Sequence, residues 1–260
     1  MSFSLFVIAA CGLLGLLFGS FANVLVHRLP RGESIVYPGS RCPKCAHAIS
    51  WYDNIPVFSW LWLRGRCRHC AASVAWRYPL LEAGLGLLWA GLAWHFPFGP
   101  QLGMALVLSF LLWVLTWIDL ETGLLPDALT FPGIAAGLLL SALFGDVYSS
   151  LTGALAGYAV FWLVARLFLL LTGREGMGQG DFKLLAMLGA FLGWQALPFV
   201  VFLSSFVGAI IGSLFLLLSR QSMRAEIPFG PYLAAAGMLW LVWGESLLMW
   251  FTAFSREMMR

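Results

Sequence analysis

The sequence predicts an all-α polytopic membrane protein with about eight transmembrane helices and one large polar loop after the first. Three observations lead there. Hydrophobic residues make up 61% of the chain, charged residues only 10%, and the mean hydropathy is +0.87, far outside the range of a soluble domain. Eight apolar stretches are long enough, or nearly so, to cross a hydrocarbon core that needs about 20 helical residues. The charges are not scattered, but gather between residues 27 and 78.

The stretches lie near residues 3–26, 79–96, 101–118, 129–145, 148–172, 183–197, 198–219 and 231–254. Residues 1–10 carry no basic head, and the apolar run continues past residue 20, so the first stretch reads as a retained helix rather than a cleaved signal. Ile8, Ala9, Ala10 and Cys11 look like a lipoprotein cleavage box, yet Cys11 comes too early for one. Only "GWQALP" joins the sixth and seventh stretches, which leaves the count at seven or eight. Small residues four apart (Gly15 and Gly19, Gly133 and Gly137, Gly153 and Gly157, Gly189 and Gly193, Gly208 and Gly212) predict closely packed helices. No repeat marks the inverted halves of a transporter.

Basic residues orient the chain, because short loops rich in Lys and Arg stay on the cytoplasmic side. Residues 27–78 hold Arg28, Arg31, Arg41, Lys44, Arg64, Arg66, Arg68 and Arg77 against Glu33 and Asp53. With this loop inside, Arg174, Lys183, Arg220 and Arg224 fall on the same face, and only Arg256 and Arg260 fall opposite. The N-terminus is therefore expected outside. The net charge of +3 is a topology signal and no argument for nucleic acid.

The loop holds "CPKC" at 42–45 and "CRHC" at 67–70, with 21 residues between the pairs. Four thiolates on two short knuckles, Cys42, Cys45, Cys67 and Cys70, close a tetrahedral zinc site with no open position, so a structural zinc is expected. A cytoplasmic placement argues against disulfides. His47 and His69 stand beside the knuckles, but four cysteines already satisfy the metal. Three regions follow: a first transmembrane helix over 1–26, a cytoplasmic zinc-binding loop over 27–78, and a transmembrane bundle over 79–260.

Ionisable residues at the ends of membrane helices are costly and mark function by default. Asp119 ends an apolar helix at "WIDLETGLLPD", and Asp181 follows the glycines of "GMGQGD". Two crossings separate them, so helix parity returns both to one membrane level across 62 positions. Each has a bland reading, Asp181 as a helix N-cap and Asp119 as the point where a helix leaves lipid. A cap does not need Gly176, Gly178 and Gly180 as well, and those glycines let the backbone approach a partner closely. Lys183 either tunes the pair or snorkels to headgroups. Glu82 is expected at the wet interface or paired with Arg77, and Asp127 as a cap of the fourth helix.

"FGSFANVLVHRLP" at 18–30, the paired knuckles framing "NIPVFSWLWLRGRCRHC", "RYPLLE" at 77–82, "IDLETGLLPD" at 118–127, "GMGQGDFK" at 176–183 and "PFGPYLA" at 228–234 together resemble a type IV prepilin peptidase. The likeness runs through nearly the whole chain in the family's order. It implies a GxGD aspartic protease that removes the short basic leader of prepilins and pseudopilins at the cytoplasmic face of the bacterial inner membrane. By motif, Asp119 and Asp181 are the catalytic pair, and Gly178, Gly180 and Lys183 belong to the active-site loop. The family is commonly also an N-methyltransferase with S-adenosylmethionine as donor.

Two carboxylates suit hydrolysis because close neighbours share one proton: the ionised one activates water while the protonated one donates to the oxyanion. Such a pair offers no pocket for a purine and a sulfonium. The loop 27–78 is then the only soluble segment large enough for the donor, with Gly65 a candidate point of close approach. Expected partners are prepilins or pseudopilins and the bilayer. A transporter with a zinc-stabilised loop would instead place its carboxylates near the bilayer midplane, and an assembly scaffold would leave the aspartates without a role.

Overall fold

A computed structural model describes residues 2–174, 176–219 and 228–258. Arg220, Arg224 and Arg260, which bear on orientation, lie outside the described residues. These residues form nine α-helices: α1 (Ser2–Arg28), α2 (Phe58–Trp62), α3 (Arg77–His95), α4 (Pro100–Thr122), α5 (Asp127–Phe144), α6 (Val147–Thr172), α7 (Gln179–Leu192), α8 (Leu197–Ser219) and α9 (Gly230–Met258). Apart from the single turn α2 inside the loop, they match the eight apolar stretches. At the uncertain join, Gly193 takes φ +78 and a 3₁₀ turn over Trp194–Ala196 separates α7 from α8.

Among the described residues six segments are long and apolar enough to cross a membrane: Phe3–Arg31, α4, α5, α6, Trp194–Phe215 and Gly230–Trp250. Two helices fall short of the expected eight. α3 carries Arg77 and Glu82 in its first two turns, and α7 has 14 residues, a rise of about 21 Å. The chain is a multi-pass membrane protein.

It divides into two compact units, Met1–Val114 and Leu115–Arg260. In the first, α1 and α3 pack backbone to backbone because glycines face the contact: a Cβ on Gly15 would lie 2.8 Å from Gly86 Cα, and one on Gly19 would lie 2.6 Å from Glu82 Cα. Trp89 Nε1 of α3 donates to Ser109 Oγ of α4 at 3.1 Å, and Phe18 meets Phe110 edge-on. Arg28, at the end of α1, donates to the carbonyls of Ser34 and Pro38 at 2.9 and 2.7 Å and pins the start of the loop.

In the second unit α7 is the core. From Phe182 to Phe191 every residue but Lys183 is buried, so this helix is apolar all round and sheathed by protein. Gly153 of α6 and Gly189 of α7 each leave room for the other's backbone, as the four-apart spacing predicts. Ser150 Oγ donates to Ser141 Oγ at 2.7 Å, and Ser141 Oγ donates to Ala190 O at 3.3 Å, tying α6, α5 and α7. Asp146 caps α6 by accepting from the N–H groups of Tyr148 and Ser149.

Candidate functional site

Within the second unit three helix ends converge: the end of α4, the start of α7 and the start of α9. Asp119, on the last turns of α4, is 5% exposed, and its Oδ2 accepts the Gly230 N–H at 2.8 Å. That N–H is one of the free amides that open a helix, a natural donor to a carboxylate. Gly230 cannot be replaced quietly, since a Cβ there would lie 2.6 Å from Asp119 Oδ2 and 3.3 Å from Leu125 Cδ2. Leu125, in the turn after α4, also fills the space a Cβ on Gly180 would need, at 2.8 Å. Asp181 follows directly in the chain.

Leu125 thus links the start of α7, which carries Asp181, to the start of α9, which holds Asp119. Asp181 is not an N-cap: α7 starts at Gln179, Gly178 caps it without a side-chain bond, and Asp181 is the third helical residue. Gly178 has φ −70 and ψ 140, angles open to any residue, so steric room around Asp181 matters more than special backbone conformation. Lys183 reaches across to α5. Its Nζ bonds Asp127 Oδ1 and lies 5.1 Å from the centre of the Phe131 ring. Asp127, the first residue of α5, is therefore an ion-pair partner, and Pro126 holds the cap position.

In the first unit the two knuckles are one motif built twice. Cys42 N–H donates to His47 O and Ala46 N–H to Cys42 O, and Cys67 with Ala72 and Ala71 repeats the pattern. Ala46 and Ala71 share φ 55, and an isolated bridge closes each turn, Arg41 with Ala48 and Arg66 with Ser73. The repetition brings the sulfurs of Cys42, Cys45, Cys67 and Cys70 all within 4.8 Å of one another. This is a closed four-thiolate set suited to a structural metal. The backbone N–H groups of Cys45 and Lys44 hold the Cys42 thiol down to about 6. Cys11 is buried in α1, apart from the cluster. His47 and His69 stack with ring centroids 3.5 Å apart and are not in the cluster. Arg68 grips Asp53 with both Nε and Nη2 and holds its carboxyl below the usual range.

Between the knuckles and helices α1 and α3 lies a cavity of about 910 Å³. Gly65 is at φ +66, and the Trp60 indole fills the space a Cβ would need, 2.8 Å away. Its N–H bonds Trp60 O and its carbonyl receives the Val74 N–H, so the residue turns the chain into the second knuckle. Trp60, Leu63 and Arg66 line the cavity, and Gly65 itself is buried behind Trp60. Glu82 lines this cavity from α3. It is buried, its Oε2 accepts the Val57 N–H at 2.6 Å, and the Arg77 guanidinium lies over the Tyr78 ring.

Two residues here gained no role from sequence reasoning. Gly230 stood in "PFGPYLA", where a glycine ahead of a proline at a helix start was a usable signal. Val57 has no sequence signal, because its unusual φ of +61 is imposed by the loop.

The model of the Bacterial Peptidase A24 N-terminal domain matches residues 13–96, and that of the Type IV leader peptidase family matches residues 106–213. Among curated relatives, a prepilin leader peptidase/N-methyltransferase of Stutzerimonas stutzeri is 44% identical over 96% of this chain and 95% of its own. Proteins of the same name from Aeromonas hydrophila and Pseudomonas aeruginosa are 46% and 44% identical, over 92% and 94% of this chain and 91% and 92% of theirs. No solved structure matches the chain. With the paired aspartates in one unit, the four-cysteine knuckles in the other, and relatives aligned through both, the chain belongs to the type IV leader peptidase family.

Proposed function

We propose that this protein is a membrane aspartic endopeptidase that removes the leader of type IV prepilins or pseudopilins and N-methylates the new N-terminus, with Asp119 and Asp181 as the catalytic pair. The observation that carries the proteolytic reading is the convergence of the α4, α7 and α9 ends on the two carboxylates. One carboxylate takes a proton from water as the oxygen attacks the scissile carbonyl, and the other donates a proton to the oxyanion. Gly230 N–H orients Asp119, while Gly180 lets Leu125 pass close to the start of α7. Gly178, Gly180 and Lys183 act as the loop that presents Asp181, Lys183 by tying α7 to α5 through Asp127.

The metal is zinc, in a structural role. Four sulfurs at 2.3 Å from one tetrahedral centre lie about 3.8 Å from each other. Cys42 Sγ and Cys70 Sγ stand 3.8 Å apart. S-adenosylmethionine, which supplies a methyl carbon on a sulfonium, fits the cavity of the first unit, whose volume is in the range of small-molecule sites. Trp60 and Leu63 offer it apolar surface, and Gly65 shapes that wall by its turn. The basic loop puts this cavity on the cytoplasmic side of the inner membrane, with the N-terminus outside.

The deciding experiment is mass spectrometry of a pilin-like substrate incubated with the purified protein, with and without S-adenosylmethionine. The expected products are a shortened chain in both and a further methyl group only with the donor. An unshortened substrate defeats the peptidase reading. A transport role receives no support, since Asp119 and Asp181 sit at helix ends rather than mid-helix.

A further inference from the structure

The loop 27–78 is rich in charge, yet its one helical turn carries an apolar outer face. In α2, Phe58, Leu61 and Trp62 are 60%, 61% and 73% exposed, and the rings of Phe58 and Trp62 stack with centroids 6.1 Å apart. Positions i, i+3 and i+4 share one side of a helix, so the three side chains make one patch. The rest of the turn already has partners. Ser59 is buried and its Oγ donates to Tyr52 O at 2.8 Å, while Trp60 Nε1 donates to Val74 O at 3.1 Å. The loop grips α2 by its polar atoms and leaves its apolar bulk outside. A contiguous apolar patch left in water is costly and marks a contact.

An independent observation sets the depth of this patch. Val57, the residue before Phe58, stands at φ +61, ψ −49, a strained conformation that surrounding contacts must maintain. Its N–H is held by Glu82 Oε2 at 2.6 Å. Glu82 lies against Gly19 of α1, where a Cβ would meet Glu82 Cα at 2.6 Å. Gly19 belongs to the membrane-crossing segment Phe3–Arg31, and from there α1 rises about 13 Å further to its end at Arg28. A hydrocarbon core takes about 20 residues, so one that begins at Phe3 ends roughly at Ala22. The loop therefore folds back from Arg28 and sets the start of α2 at the edge of that core.

We propose that α2 is an in-plane membrane anchor: Phe58, Leu61 and Trp62 insert among the phospholipids of the leaflet on the loop's side, and Arg64 pairs with their phosphates. Lipid chemistry fits both parts. Tryptophan settles where hydrocarbon gives way to headgroups, because its ring is apolar and its N–H is polar. Arg64, exposed two residues after Trp62, gives a guanidinium to the phosphates beside it. Trp76, 68% exposed at the cap of α3, adds a second interfacial ring where the loop ends. Held by α1 and α3 at its ends and by α2 between them, the loop keeps its knuckles at the membrane surface, where a lipid-anchored chain arrives.

The test uses the full-length protein in nanodiscs of mixed phosphatidylcholine and phosphatidylglycerol, with no substrate present. A photoreactive p-benzoylphenylalanine replaces Trp62 in one variant and Phe58 in another. Mass spectrometry should find phospholipid joined through its acyl chain at both positions, with metal content as in the parent. Phosphatidylglycerol should appear in the adducts about five-fold above its share of the lipid, the enrichment that one basic residue gives at an anionic surface, and Arg64→Gln should lose most of it. With native side chains, the part of the emission that Trp62→Phe removes should be quenched by lipids brominated near the headgroup end of the chain and not by iodide in the water.

Absence of lipid adducts at both positions, or quenching of the Trp62 emission by iodide and not by brominated lipid, overturns the anchor. So does a probe that ignores lipid but couples to a pilin-like substrate once that is added, which would make this face a substrate-docking surface. Adducts that follow the lipid mixture in the parent and in Arg64→Gln alike overturn the part given to Arg64. Should the benzoylphenylalanine variants lose the metal and with it the loop fold, the quenching difference between the parent and Trp62→Phe decides alone.

Discussion

The knuckle loop and the aspartate pair solve the same problem, holding acidic groups close together, by opposite means. In the loop the ligands come in pairs three residues apart, and one local turn, made twice with the same hydrogen bonds and the same φ at Ala46 and Ala71, presents each pair. The aspartates lie 62 positions apart, and the N–H that orients Asp119 comes from a residue 111 positions away. Local geometry builds the first, and helix packing builds the second. A metal site assembled from short turns survives change elsewhere in the chain, whereas a site assembled from three helix ends depends on every contact that sets their depth.

The largest effects are expected at the two carboxylates. Asp119→Asn or Asp181→Asn should lower leader cleavage by about 10³-fold or more, with the metal and methyl transfer to a pre-cleaved peptide retained. A peptide cleavage assay beside elemental analysis checks it, and near-normal cleavage by either variant removes the pair from catalysis. Loss of methyl transfer in a folded Asp119→Asn protein that still binds peptide would show that the two activities share one site.

Next in size is a change that touches no carboxylate. Gly230→Ala puts a methyl group where Asp119 Oδ2 lies, 2.6 Å from the new Cβ, and should cut cleavage by about 10²-fold through displacement of that side chain. Metal content should not move. Unchanged kcat/KM in this variant would mean that the α9 start does not set the Asp119 geometry.

Cys45→Ser or Cys70→Ser tests the other region. Removing one thiolate should release the metal and leave residues 27–78 open to limited proteolysis, because a loop with little core of its own depends on the metal. Methyl transfer should fall with it and cleavage should fall much less. Equal loss of both activities would mean that the metal-held loop also supports cleavage.

The smallest effect is expected at Lys183 and Asp127. Lys183→Met should shift stability by about 0.2–1 kcal/mol, the usual worth of an ion pair with one exposed partner, and change cleavage by no more than a few-fold. The Asp127 side chain is 57% exposed, so a large loss of cleavage at unchanged stability would place Lys183 closer to the chemistry than its contacts do.

Composition, short spacing and parity are legible in a linear chain. The membrane class follows from mean hydropathy, the helix-to-helix glycine contacts from four-residue spacing, and the metal cluster from the two CxxC pairs. The shared level of Asp119 and Asp181 follows from two intervening helices. Tertiary structure alone decided what depends on packing at a distance. α7 could be a 14-residue helix only because other helices sheathe it, and Lys183 meets Asp127 because α7 and α5 lie side by side. Glu82 accepts the Val57 N–H because the loop folds back onto α3, and Asp119 is oriented by Gly230 because two helix ends meet. A residue's spacing along the chain fixes its neighbours within a turn or two. Its partners beyond that are set by which surfaces bury one another, a quantity no short stretch of sequence contains.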